Sequence, residues 1–592
     1  MKNFFSYFFA SILGTIVALF VLGGILVLIG ISSMAQFSES EAIQAKSVLK
    51  LDLDEYIPEQ TNNISLSSFD FSTQNVVGIH DLITLIKLAK NDSQIEGIYI
   101  TATQTNAGMV KLNELRDAII DFKTSGKFVV AYAKYYTQGA YYLASAADEV
   151  YLNPLGLVDF RGFSGSVAFY KNMLDKIGVK VEVFYAGDFK GATEPYRLTE
   201  LSPENRSQLQ EYLNHLYNLY LEDVSASRNI SVDSLRAISD RFDGGNANTA
   251  LSSNLIDSLL YNDQVEHIIK QKIGLAVDDK LELVDIEKYQ TANPKSTDYK
   301  IKDVVAVVYA EGSIIDGQEE NGIISDEPYV ELAKKLEHDD KVKAVVLRVN
   351  SPGGSAMASE NIWRAFKQVK AAGKPIVISM GDYAASGGYY IAAAGDKIFA
   401  EDNTLTGSIG VFRIIPNLKE LMNDKIGITY DTVKTGNFSA FLNPYFDISS
   451  QERQWMQNST EQMYQIFLSR VAEARNMPIE KVHEIAQGRI WTATRAKSLG
   501  LVDEIGNLEA AIKAAATLAH LDDNNYRTRE FPSVKEPFQQ LIDDIFNVED
   551  TQAKAIRAEL GDFYTHYEMW KTLKNMTNAQ ARLPLRSKST SS

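Results

Sequence analysis

The chain has 592 residues, 45% hydrophobic and 23% charged, enough for several globular domains with cores of their own. Lys and Arg total 59 against 76 Asp and Glu, a formal charge of −17; so acidic a chain repels phosphate backbones, and no nucleic-acid partner is expected. There is no cysteine and no H-E-x-x-H among the seven histidines, which excludes disulfides, thiolate chemistry and a zincin-type metal site.

From Phe8 to Ile31 no residue is charged. About 20 apolar residues cross a bilayer, whereas a cleavable signal has an apolar region of roughly 7–15. Residues 1–36 therefore read as one N-terminal transmembrane anchor. A cleaved signal ending near Ser33-Met34-Ala35 is the competing reading. Lys2 before the span, with Glu39 and Glu41 after it, puts the N-terminus inside and the body outside. Ser47–Asp54 alternates Leu49, Leu51 and Leu53 with Lys50, Asp52 and Asp54, the period of a strand. Ser47 and Lys50 form an S-x-x-K pair, but residues three apart on a strand face opposite sides and cannot act together.

The chain then repeats itself. Residues 127–154 and 374–402 share an apolar strand, a polar turn, a small-residue element with Tyr-Tyr, and a second short strand. Tyr141-Tyr142 and Tyr389-Tyr390 are 248 residues apart; Lys-Ile-Gly, Gly187/Gly436, Phe189/Phe438 and Pro-Tyr match at an offset of 249 in residues 176–196 and 425–445. Tyr217, Leu221, Val224, Arg228 and Asn229 continue the match in Tyr464, Leu468, Val471, Arg475 and Asn476. Two homologous α/β domains follow, at 45–290 and 303–520, with the polar stretch Tyr289–Lys300 as linker. In the second, Val304–Tyr309 and Ala344–Val349 read as strands flanking a helix at Tyr329–Glu337, so the sheets are expected to be largely parallel. Further on, Phe538, Leu541, Ile542 and Ile545 have amphipathic-helix spacing, giving a C-terminal helical segment at 536–580.

Three segments can carry chemistry. Asn350-Ser-Pro-Gly-Gly-Ser355 follows an apolar strand, and its glycines leave backbone N–H groups free to hold an oxyanion, although Pro-Gly is also an ordinary turn pair. Ser386 follows a strand and opens a small-residue helix, either as an exposed nucleophile or as a plain N-cap. Its counterpart in the first repeat is Gln138, so the fold does not require serine there. A serine needs a base; with no histidine in either matched block, lysine is the other common solution. A lysine with its reference pKa near 10.4 is neutral about once in 2,500 at pH 7, so the base must be buried in an apolar cleft. Lys190, after Tyr185-Ala-Gly-Asp-Phe189, is the candidate. Its counterpart is Ser439, and Asp188 and Glu194 would raise its pKa if they faced it. No Walker A loop or G-x-G-x-x-G occurs, so no cofactor is expected.

Ser351-Pro-Gly-Gly354, Ala385-Ser-Gly-Gly-Tyr-Tyr390, Thr406-Gly-Ser-Ile-Gly410 and Phe189-Lys-Gly-Ala-Thr-Glu-Pro-Tyr196 together resemble the long, two-repeat form of the signal peptide peptidase A (protease IV) family. The resemblance covers roughly residues 45–530 and the anchor. It implies two tandem domains with a fold like Clp protease and the crotonases, a Ser-Lys dyad, a homo-oligomer, and cleavage of signal peptides and other apolar peptides at the membrane. The place implied is the bacterial inner membrane, single-pass, with the catalytic body outside the cytoplasm. Carried onto this chain, Ser386 is the nucleophile, Lys190 the general base, the N–H groups of Gly354 and Gly387 the oxyanion hole, and Ser408 the hydroxyl that positions the lysine amine. Gln138 to Lys190 spans 52 residues and Ser386 to Ser439 spans 53, so each repeat has both slots and each has kept one. The two domains are therefore expected to share one cleft. A crotonase-type acyl-CoA enzyme and a non-catalytic membrane scaffold are the alternatives. The first normally needs an acid/base carboxylate and no anchor.

Overall fold

Runs of Val, Ile, Leu and Ala too short for helices become the strands of two parallel sheets. The computed structural model describes residues 43–62, 76–294, 300–318, 322–522, 525–533 and 579–582, with Gly14. The anchor read at 1–36 lies outside these residues apart from Gly14, as does the C-terminal helix read at 536–580 up to residue 578. Among the described residues no helix is long and apolar enough to cross a membrane.

The first repeat supplies β1 (Ser47–Leu51), β2 (Ile95–Ile100), β3 (Phe128–Ala133), β4 (Glu149–Leu152), β5 (Lys180–Ala186), β6 (Ser258–Leu259) and β7 (Leu283–Asp285). All but β5 form one sheet, β6-β4-β3-β2-β1-β7, with every pairing parallel. Tyr289, read as the first linker residue, is instead buried in the helix Ile286–Ala292, and its hydroxyl donates to Asp92 Oδ2 at 2.8 Å.

The rest of the chain supplies β8 (Val304–Glu311), β9 (Ile314–Ile315), β10 (Ile324–Ser325), β11 (Val342–Ser351), β12 (Gly353–Ser355), β13 (Ile376–Ala385), β14 (Lys397–Ala400), β15 (Leu405–Gly407), β16 (Val411–Asn417), β17 (Ile490–Thr492), β18 (Glu504–Ile505), β19 (Arg527–Phe531) and β20 (Gln580–Arg582). The second sheet runs β17-β15-β13-β11-β8-β19, with β14 and β18 branching from β13; only β15–β17 is antiparallel. Every residue of β8 is buried, as a strand covered on both faces by helices requires.

The repeat is visible in cap chemistry as well as in sheet order. Helices Pro203–Arg228 and Ser450–Arg475 are each 26 residues long. Ser202 Oγ accepts from Asn205 N–H and Ser449 Oγ from Glu452 N–H, so each start is capped by a serine. Each ends on an asparagine in the left-handed region, Asn229 (φ 54°) and Asn476 (φ 49°), where a short polar side chain tolerates that conformation.

A third sheet joins the repeats in the order β10-β9-β12-β20-β16-β5. Its seam is β5 against β16, antiparallel over seven pairs from Ala186 opposite Val411 to Lys180 opposite Asn417. A second join lies behind it. The helix Met109–Lys123 meets β13, with Val110 N–H donating to Asp382 Oδ1 at 2.9 Å. Arg348 on β11 ion-pairs with Glu59 at 2.9 Å and Glu114 at 3.4 Å, and Lys111 pairs with Glu311 at 3.0 Å, all buried. Buried charges of opposite sign that satisfy one another penalise any other docking of the two repeats.

Candidate active site

The β5–β16 seam determines where Lys190 goes. At the end of β5 the chain turns at Gly187 (φ +108°), where an added Cβ would overlap the backbone of Gln487. Phe189 N–H then donates to Gln487 O at 2.9 Å, and Gln208 clamps the same loop, its amide donating to Phe189 O at 3.1 Å while its oxygen accepts from Ile490 N–H at 3.0 Å. Lys190 follows, 1% exposed, with Gly488 packed against its Cβ.

Its amine lies 2.6 Å from Ser386 Oγ, 2.8 Å from Ser408 O and 3.0 Å from Ser408 Oγ. A neutral amine has two N–H donors and one lone pair. The Ser408 carbonyl can only accept, so it takes one N–H; Ser408 Oγ takes the other; the lone pair is left for the Ser386 O–H. Burial holds the Lys190 pKa well below the ordinary lysine value, and no carboxylate opposes it. Glu194, close in sequence, turns away to accept from Ser202 Oγ at 2.5 Å and Asn205 Nδ2 at 3.0 Å, and Asp188 is exposed.

Ser386 sits on the strand-to-helix turn after β13, with φ 57° and ψ −117°, and its hydroxyl makes no capping bond. The plain N-cap reading therefore fails, since the hydroxyl points at the amine. A non-glycine residue at positive φ costs of order 1–3 kcal/mol and persists where the surroundings enforce it. Here Ser386 N–H donates to Gly407 O at 2.8 Å. Ser408 is likewise at positive φ (51°), held by its N–H to Arg489 O at 2.6 Å. The counterparts in the other slots do different things: Gln138 accepts from Gly162 N–H at 3.0 Å, and Ser439 is exposed. The S-x-x-K pair also separates, with Lys50 on Asp285 at 3.3 Å and Ser47 Oγ donating to Gln44 O.

Gly354 and Gly387 come together beside Ser386: a Cβ built on Gly387 would stand 3.1 Å from Gly354 N. The sequence reading missed Gly353. Its φ is +92°, and an added Cβ would be 2.6 Å from Gly387 N, in the space between these donors. Its signal was the Gly-Gly doublet, whose glycines were read as N–H donors and not as the space a carbonyl oxygen needs. Gln208 and the Gln487–Gly488 loop were also missed, and nothing local in their sequence marks them.

Two stretches, 121–276 and 368–522, match the model for peptidase family S49, and residues 296–404 match the Clp protease model. The chain belongs to peptidase family S49. It is 34% identical over 521 residues to Protease 4 of Haemophilus influenzae, covering 84% of this chain and 83% of that one, and 36% identical to Protease 4 of Salmonella typhi, covering 84% and 82%. The chloroplastic serine protease SPPA of Arabidopsis thaliana is 32% identical, covering 74% of this chain and 65% of that protein. The protein is thus a two-repeat serine peptidase of Clp-like α/β fold, a hydrolase, and the acyl-CoA and scaffold readings fall.

Proposed function

We propose that this peptidase degrades signal peptides and other apolar peptides left in the membrane, with Ser386 as nucleophile and Lys190 as general base. The observation that carries the dyad is the 2.6 Å approach of Lys190 Nζ to Ser386 Oγ in a buried cleft. Lys190 takes the serine proton as Oγ attacks the scissile carbonyl. The N–H groups of Gly354 and Gly387 receive the oxyanion, each worth about 3 kcal/mol in such sites. The protonated lysine gives its proton to the leaving amine, and water then hydrolyses the ester. Ser408 keeps the amine aimed, its O and Oγ fixing the two N–H directions.

In this reading residues 1–36 anchor the chain in the bacterial inner membrane with its body outside the cytoplasm, which holds the cleft at the surface where apolar peptides lie. A homo-oligomer is part of the proposal. Within one chain β5 pairs with β16; the repeat counterparts of these strands, residues 429–435 and 162–168, are unpaired, and Tyr430 and Val433 are exposed there. A second copy can close that seam head to tail, as heterologous rings do. The test is full-length protein in lipid vesicles with a synthetic signal peptide, followed by mass spectrometry. Fragments with the wild type and none with Ser386→Ala are expected. Hydrolysis of soluble peptides alone, with the membrane-held peptide left intact, would refute the substrate assignment.

A further inference from the structure

The loop that carries Lys190 crosses from the first repeat into the second, and two amides of the helix Pro203–Arg228 hold it there. Gln208, 2% exposed, donates one amide N–H to Phe189 O at 3.1 Å and the other to Asn205 Oδ1 at 2.9 Å, while its oxygen accepts from Ile490 N–H at 3.0 Å. Turned over, the amide would set N–H against N–H at Ile490 and oxygen against oxygen at Phe189, so its orientation is fixed. Both ends of this clamp lead to the dyad. Phe189 immediately precedes the lysine. Ile490 follows Arg489, whose carbonyl accepts from Ser408 N–H at 2.6 Å, and Ser408 supplies the two acceptors that aim the amine. Gln208 thus sets the base against the group that orients it.

Asn205 has a second role. Its amide donates to Glu194 Oε2 at 3.0 Å, and Ser202 N–H and Oγ donate to the same carboxyl group at 3.2 and 2.5 Å. Glu194 is four residues after Lys190 and buried like it. An added Cβ on Gly191 would overlap the Asn205 amide, so the base loop packs directly on this donor. The other charged groups around the loop are engaged or remote. Arg197 is 4.0 Å from Glu194, Arg489 pairs with Glu211 at 3.1 Å, Asp382 accepts from Val110 N–H, and Asp188 is exposed. Burial alone keeps the Lys190 pKa down. A carboxylate released within this buried loop would favour the charged amine, which cannot act as a base. The second repeat shows that the helix itself does not need these amides. With the capping serines Ser202 and Ser449 matched, Asn205 corresponds to Glu452 and Gln208 to Trp455. Glu452 accepts from Ser449 N–H as part of the cap, and Trp455 is half-exposed. The amides occur only in the repeat that keeps the lysine.

We propose that Gln208 and Asn205 are positioning residues for peptide cleavage: together they fix Lys190 between Ser386 and Ser408 and keep the Glu194 carboxyl group turned from the amine. The inference rests on the Ser-Lys reading above. Neither amide bonds to Ser386 or to the lysine amine, so both act through the loop that presents the base. Gln208 governs where the amine stands, and Asn205 governs which charge stands near it.

The test is kcat and KM of the full-length enzyme on a fluorogenic peptide as a function of pH, with thermal melting as the fold check. Gln208→Met, close in volume but without the amide, is expected to lose about 10–100-fold in kcat with KM little changed, as a displaced base does. In Asn205→Ala the rising limb of the kcat profile is expected to move upward by about one pH unit or more, because Glu194 is no longer held away. Adding Glu194→Gln to Asn205→Ala should return the limb to its wild-type position, a rescue that a merely loosened fold would not show. The inference is overturned if folded Gln208→Met keeps kcat within threefold of wild type. It is equally overturned if Asn205→Ala leaves the limb in place, or if the limb moves and Glu194→Gln does not restore it. The Asn205→Ala and Glu194→Gln comparison decides the matter even where Gln208→Met does not fold. A wild-type enzyme whose profile has no limb that Lys190→Met removes counts against the dyad itself.

Discussion

Replacing Gly353 by alanine tests the oxyanion geometry at its tightest point. At φ +92° the new Cβ falls in the gap between the two donors, 2.6 Å from Gly387 N and 2.9 Å from Ala385 O. A substrate carbonyl oxygen needs that space to reach both N–H groups. Losing one donor costs about 3 kcal/mol, a 10²–10³-fold fall in kcat. A methyl that displaces the oxygen from both costs up to about 6 kcal/mol, on the order of 10⁴-fold. The strain of a non-glycine residue at this φ costs about 1–3 kcal/mol of stability, and the overlap of the new Cβ with the backbone of Ala581, Gly387 and Ala385 adds to it. The variant is therefore expected to melt at a lower temperature and, at temperatures where melting shows it folded, to fail in catalysis. The assay is kcat on an unstructured fluorogenic peptide, with thermal melting as the fold check. Gly436→Ala serves as control, because an added Cβ there meets only Ser439 Oγ at 3.6 Å. A Gly353→Ala enzyme within threefold of wild-type kcat would refute the assignment of the oxyanion hole.

Three further outcomes follow from the join between the repeats. Arg348→Met takes the guanidinium from Glu114 and leaves Glu59 with Lys111 at 3.7 Å as its remaining cation; it is expected to cost about 3–5 kcal/mol, seen as a lowered unfolding midpoint and reduced activity. Arg453→Ala removes a half-exposed ion pair with Glu182 at 2.6 Å and should change stability by less than about 1 kcal/mol in the same measurement. Burial, then the neighbouring Glu114, pushes the Glu401 pKa up to about 9. The folded state therefore keeps a proton that the unfolded chain loses near pH 4.5, and stability falls as pH rises from there to about 9, by up to about 1.4 kcal/mol per unit. Glu401→Gln should flatten that slope in unfolding curves taken at pH 6, 7.5 and 9.

The parts of this site that were legible in the sequence were those that leave local or periodic marks. The tandem repeat was visible because both copies keep Tyr-Tyr, Lys-Ile-Gly and Arg-Asn at nearly one spacing, 248, 249 and 247 residues. Ser386 and Lys190 stood out because their counterparts, Gln138 and Ser439, differ in type. The strand at 304–309 and the helix at 329–337 were found within two or three residues, as Val304–Glu311 and Asp326–His338, because apolar runs and periodicity report burial. The third sheet was not legible. β5 alternates like any strand, and nothing in Lys180–Ala186 says that its partner is Val411–Asn417 rather than a neighbour in its own repeat. The ion cluster of Glu59, Lys111, Glu114 and Arg348 joins residues up to 289 positions apart, each ordinary where it stands. Residues 579 and 580 were read as the end of a helix, whereas Gln580–Arg582 is a strand, because its conformation is set by the two edges that receive it.

The central claim is that a base from one repeat and a nucleophile from the other work in one cleft. The most direct measurement is the rate at which a fluorophosphonate acylates the enzyme as a function of pH, with the adduct mapped by mass spectrometry. The account predicts an adduct on Ser386 whose rate rises through an apparent pKa well below that of ordinary lysine, because the neutral amine is the base. It also predicts that Lys190→Met slows the reaction by about 10²–10⁴-fold and abolishes that pH limb. A Lys190→Met enzyme that labels Ser386 at the wild-type rate with the same pH profile would contradict it.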